Sequence, residues 1–206
     1  MACLGEPIAC AMFSGLHSKV NLGDTAVLYG MGFAGQIIAQ VMKQKGAKTL
    51  IAGDVVEEKL KIARSLGADI IIHSGHEDPV ERILEVTKGQ GADVVAEVAG
   101  VAQSINQSIE SVGHNGTLVF YSWVTQDVNI NISRFHHDSL YLINTGLAHH
   151  TLQERSIRIP WVLRPIIQGT VKIAPLINRR CQLDQVDEAF RVSVEDEAAI
   201  KVVLDF

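Results

Sequence analysis

The chain has 206 residues, 47% of them hydrophobic, with 18 basic and 23 acidic side chains and a formal net charge of −5. This length suits one globular domain that needs no metal or disulfide staple to build a core. Cys3, Cys10 and Cys181 are odd in number and lack C-x-x-C spacing, which argues against a disulfide framework or a cysteine-built zinc site and fits a reducing cytoplasm. The first Lys or Arg is Lys19, and the apolar run 8–13 before it is too short and wrongly flanked for a signal peptide. No window approaches the roughly 18 apolar residues of a membrane helix. A mildly acidic chain without an extended Lys/Arg run also lacks the charge that phosphate-backbone binding needs. Neither membrane nor nucleic acid is expected as a partner.

In chain order, 5–18 reads as an apolar helix. From 25 to 145 short β-branched runs alternate with helical patterns. Strands are expected at 25–29, 49–53, 69–72, 93–97, 117–121 and 140–145, and helices at 33–45, 57–66, 79–87 and 102–111, each helix with apolar residues three or four apart. That alternation gives an α/β fold, a doubly wound parallel sheet with helices on both faces, and "DVVAEV" is apolar nearly throughout, as a strand buried on both faces should be. After Thr151 the pattern changes. "LQERSIRIPWVLRPIIQG" reads as helix broken at Pro160, "LDQVDEAFRV" as a short amphipathic helix, and "AIKVVLDF" as a final strand.

In "AVLYGMGFAGQIIAQ", Gly30, Gly32 and Gly35 form G-x-G-x-x-G between a strand and a helix. The first glycine permits the turn, the second lets a pyrophosphate approach the backbone, and the third lets helix and strand pack closely. The amides from Phe33 and Ala34 onward would face the diphosphate, with the positive end of the helix dipole behind them. The next strand ends on Asp54, nineteen residues after Gly35, where a carboxylate can accept bonds from the adenosine ribose hydroxyls. A carboxylate there repels a 2′-phosphate, and Val55 and Val56 offer no cation, so NAD is expected as cofactor rather than NADP.

These residues, with "GEPIACAMFSG" before them and "GQGADVVAEVAG" and "DEAFRVSVEDEAAIKVVLDF" after, resemble the cofactor half of a zinc-type medium-chain alcohol or polyol dehydrogenase. The resemblance spans nearly the whole chain and is weakest over 123–177. It implies an organisation of 1–18 as a helix linking to a catalytic domain, 19–150 as the NAD-binding Rossmann domain and 151–206 as a returning segment. It further implies that Lys59 reaches the adenine-side ribose, that Val98 and Ala99 wall the adenine pocket, and that Tyr121, Ser122, Leu147 and His149 lie near the nicotinamide end. Lys201 falls where relatives place a cation on the pyrophosphate.

Glu6, in "GEP", matches a glutamate that relatives place at the catalytic zinc, although a carboxylate at that point also suits a helix N-terminus. His136 with His137, and His149 with His150, are adjacent pairs that within a strand would point to opposite faces, so surface or pocket-lining roles are expected of them rather than a metal site. The relatives carry their main zinc ligands and proton relay on an N-terminal domain, which is expected to be missing here. The chain alone is therefore expected to hold no zinc and no catalytic residue. The resemblance implies hydride transfer between a secondary alcohol or polyol and NAD, with zinc as Lewis acid. Two alternatives stand beside it: a stand-alone NAD-binding module without chemistry, and a zinc-free quinone-reductase-type relative. The edge segment "LYLINTG" is apolar enough to predict self-association, as a homodimer or larger homo-oligomer. Apolar surface is expected around Trp161, Val162 and Ile166.

Overall fold

A computed structural model describes residues 4–145 and 159–206; Leu147, His149 and His150 lie outside the described residues. Six strands, β1 (Thr25–Tyr29), β2 (Thr49–Asp54), β3 (Ile70–His73), β4 (Ala92–Glu97), β5 (Val112–Phe120) and β6 (Tyr141–Asn144), form a wholly parallel sheet in the order β3-β2-β1-β4-β5-β6. Helices α1 (Gly5–His17), α2 (Phe33–Lys45), α3 (Glu57–Ser65), α4 (Pro79–Val86) and α5 (Ala102–Ser111) cover it, and a short α6 (Ser133–His137) precedes β6. Among the described residues no helix is long and apolar enough to cross a membrane.

The strands are apolar throughout because alternate residues serve two cores. Ala26, Leu28, Leu50, Ala52, Val94 and Ala96 face α1 and α2, whereas Val27, Tyr29, Ile51 and Val95 face the side of α4 and α5. On the first side Ile8, Met12, Ile37, Ile38 and Met42 are buried; on the second, Ile83, Ile105 and Ile109. Each such side chain contributes roughly 1.5–3 kcal/mol relative to exposure. With five of its apolar residues buried, α1 is as much a part of this core as the helices of the alternation. α4 shows why local signals located the helices so closely: Asp78 Oδ1 accepts the amides of Val80 and Glu81 at 2.8 and 3.3 Å, with Pro79 in the first turn.

The tail folds back onto the first core. Val162, Val171, Ile173 and Leu176 are buried with α1 and α2. Gln40 of α2 clasps Lys172 as a strand neighbour would, its Oε1 accepting the Lys172 amide at 2.8 Å and its Nε2 donating to the Lys172 carbonyl at 3.1 Å. Beyond α7 (Arg164–Ile167), β7 (Arg179–Gln182) and β8 (Val202–Asp205) form a parallel pair joined by α8 (Val186–Glu195).

Several expectations need correction. Val162 is 0% exposed, because it points into the α1–α2 core, although Trp161 beside it is open to solvent. The helical break does not fall at Pro160, which lies in a helical turn; the chain re-starts at α7, where Pro165 occupies a first-turn position that needs no intrahelical donor. β5 begins at Val112, because its ladder with β4 resumes after a bulge, Ala92 pairing Val112 and Val94 pairing Thr117. His136 and His137 are exposed, as expected of surface histidines, and they sit at the end of a helix rather than in a strand. β7 was not foreseen: "RRCQ" is a polar, half-exposed ladder without an apolar period.

Candidate cofactor cleft

Between β1 and β4 the strand order reverses, so the helices that follow them, α2 and α5, leave toward opposite faces and open a crevice at the strands' carboxyl ends. The glycine motif forms its floor. Gly30 has φ of +97°, and a Cβ there would stand 2.7 Å from the Ala99 amide nitrogen. At Gly35 a Cβ would meet the Gly30 carbonyl oxygen at 1.9 Å, so only glycine lets α2 start this close to the turn. Gly32, by contrast, faces open space. It caps α2 without a side chain, and the first helix bond runs from Gln36 N to Gly32 O at 3.0 Å. The amides of Phe33, Ala34 and Gly35 are left without a partner inside the helix. Lys201, arriving from the tail, holds its Nζ 5.3 Å from the centre of the Phe33 ring, which brings a cation to the same helix end.

Asp54 ends β2 and turns back to the glycine turn. Its Oδ2 accepts the Met31 amide at 2.6 Å and its Oδ1 the Val56 amide at 2.9 Å. Asp54, Gly53, Val55, Ala99, Val101 and Gln103 help to line an open cavity of about 390 Å³, within the ~300–1,000 Å³ typical of ligand pockets. Val98 turns away from it and packs against the first core, so that Ala99 and Val101 supply the apolar wall. Lys59 lies on α3, where its carbonyl accepts the Gln36 amide group at 2.8 Å. A larger cavity, about 710 Å³, opens near Lys19, Lys45 and Tyr141 at the strands' amino ends, the wrong edge of a doubly wound sheet for a cofactor.

At the other end of the crevice Tyr121 and Ser122 follow β5. The Tyr121 phenol is pushed up to about 12, mainly by burial, with Cys10 and Glu6 adding to the shift. Glu6 is exposed and accepts a hydrogen bond from Cys10 Sγ at 3.1 Å. No group of three His, Cys, Asp or Glu side chains converges among the described residues, so these residues do not fit a metal centre. Glu97 is the feature that sequence reasoning passed over. It is 0% exposed, and its carboxylate accepts bonds from Ala99 N, Gly100 N, Ser104 Oγ and Ser122 Oγ. The available signal was a lone acid closing an otherwise apolar strand.

Fold and cleft together define a dinucleotide-binding α/β domain, and the open cradle at Gly32 fits a diphosphate. The model for zinc-binding dehydrogenases matches residues 34–159, and the chain belongs to that family. It is 28% identical over 197 residues to an uncharacterized zinc-type alcohol dehydrogenase-like protein, YdjJ, of Escherichia coli, covering 96% of this chain and 54% of the relative. It is 29% identical over 202 residues to the (R,R)-butanediol dehydrogenase of Bacillus subtilis, covering 98% and 56%. A solved E. coli oxidoreductase/dehydrogenase of unknown specificity superposes with a TM-score of 0.88 at 26% identity, over 98% of this chain and 56% of that one. The chain thus spans little more than half the length of the relatives it matches.

Proposed function

We propose that the chain binds NAD(H) in preference to NADP(H) and forms the cofactor-binding part of an oxidoreductase that moves a hydride between a secondary alcohol or polyol and NAD. The observation that carries the reading is Asp54, an acid on the cleft wall beside the glycine turn, with Val55 next to it 64% exposed and uncharged. Ribose hydroxyls can donate to that carboxylate, whereas a 2′-phosphate would bring between one and two further negative charges against it. On this reading Gly32, Phe33, Ala34 and Gly35 with Lys201 hold the diphosphate, Asp54 and Lys59 the ribose, Ala99 the adenine, and Tyr121, Ser122, Leu147 and His149 the nicotinamide end. NAD supplies the hydride acceptor when bound. An alcohol substrate is supported by the relatives' names, a butanediol dehydrogenase among them.

Zinc belongs, in this proposal, to the whole enzyme. Glu6 meets Cys10, but no third His, Cys, Asp or Glu joins them in a group that could hold a metal among the described residues, and catalytic zinc takes three protein ligands. The 206-residue chain by itself is therefore expected to bind NADH and turn over no alcohol. Its cysteine spacing favours a cytoplasmic setting. Calorimetry with NAD and NADP tests the cofactor reading: NAD should bind at least about tenfold tighter, ~1.4 kcal/mol. Asp54→Gly with Val55→Arg should narrow or reverse the preference, and equal binding of both cofactors by the unaltered chain would overturn it.

A further inference from the structure

Glu97 is wholly buried, and the cofactor reading makes no use of it. Its two oxygens serve different parts of the cleft. Oε1 accepts the amides of Ala99 and Gly100 at 3.0 and 2.8 Å and the Ser104 hydroxyl at 2.7 Å, all on the segment from β4 into α5, which the cofactor reading places at the adenosine end. Oε2 accepts the hydroxyl of Ser122, which follows β5 on the other side. The Glu97 carbonyl also accepts the Tyr121 amide at 3.1 Å. The two loops are in near contact as well, since a Cβ on Gly100 would stand 3.3 Å from Ser122 Cβ.

Burying a carboxylate is unfavourable unless every lone pair that leaves water finds a donor. Here the donors come from both loops, so neither loop can shift without stranding an oxygen of a buried acid. We propose that Glu97 is a positioning residue that fixes Ser122, and with it the nicotinamide end, relative to the adenosine end of the cleft. This rests on the NAD reading above. Its consequence is that Ser122 and Glu97 act on cofactor binding as one unit.

The test is a double-mutant cycle on the 206-residue chain with Ser122→Ala and Glu97→Gln. The glutamine keeps an acceptor for Ala99, Gly100 and Ser104 and replaces the charge-assisted bond from Ser122 by a neutral one, in which the amide nitrogen donates to the Ser122 oxygen. NADH and ADP-ribose, which lacks the nicotinamide, are titrated by calorimetry, with the emission of bound NADH followed in parallel. Ser122→Ala, which removes the bond, should weaken NADH binding about tenfold, and Glu97→Gln, which leaves a neutral bond, about threefold. The double variant should be no worse than Ser122→Ala within about twofold. ADP-ribose affinity should change less than about twofold throughout, and the NADH emission should move toward that of free cofactor. Multiplying effects in the double variant, or equal loss of NADH and ADP-ribose, would overturn the positioning role and leave the cofactor reading standing. Failure of the unaltered chain to bind either ligand would overturn both.

Discussion

Gly32 and Gly35 stand three residues apart and carry opposite kinds of constraint. At Gly35 the constraint is internal, since the Gly30 carbonyl occupies the place of any side chain. Gly35→Ala should therefore lower stability by at least about 2 kcal/mol, as overpacking against backbone does, and a urea midpoint measures it. At Gly32 a methyl group meets nothing, and φ of −69° suits any residue. Gly32→Ala should leave the urea midpoint unchanged within about 0.5 kcal/mol while weakening ADP-ribose binding, because on the proposed reading a diphosphate takes the open space beside it. A destabilised Gly32→Ala, or an unaffected Gly35→Ala, would mean that the two roles have been assigned the wrong way round. The motif's spacing already divides the glycines between close packing at Gly35 and a ligand's approach at Gly32, and the space around the two positions differs in the same sense.

At the level of elements, the alternation was legible because each strand is apolar and most helices are bounded by local signals. Phe33–Lys45 and Ala102–Ser111 coincide with the periods that foretold them. The misses lie where tertiary contacts replace local signals. β5 starts early through a bulge, and α6 is five residues held by one side chain. Arg134 donates to the carbonyls of Ile109 and Val112 at 2.8 and 3.1 Å and to Asp138 Oδ2 at 2.7 Å. The bond from Arg134 holds the Asp138 carboxyl below its usual range, with the charges of Arg134, His114 and His137 adding to the effect. A depressed carboxyl stabilises the fold above the unfolded carboxylate range, about pH 4, and that contribution is lost as pH falls through the lower folded value. Asp138→Asn should flatten this part of the acid limb of a stability-versus-pH curve. An unchanged acid limb would show that Arg134 and Asp138 are not coupled in solution. In the site itself, Asp54 and the glycines were legible, whereas Glu97 was not, because its partners are amides and hydroxyls brought together only by the fold.

For the whole molecule the open flank of the sheet matters most. β6 ends the strand order, with Tyr141 and Leu142 61% and 55% exposed. We propose that a second copy covers this apolar edge across a two-fold axis, so that sedimentation at micromolar concentration should show a dimer. Tyr141→Lys together with Leu142→Lys should yield a monomer that still binds ADP-ribose, whereas a monomeric unaltered chain would remove the proposal. The clasp between Gln40 and Lys172 has a different kind of consequence. A single side-chain amide satisfies both backbone groups of a residue on the returning tail, so no ladder of successive strand bonds ties that residue to the sheet. Amide hydrogen exchange at Lys172 then registers the undocking of the tail as a sub-global opening, distinct from the slower exchange of Val27 or Val95 in the central strands, which requires the sheet to come apart.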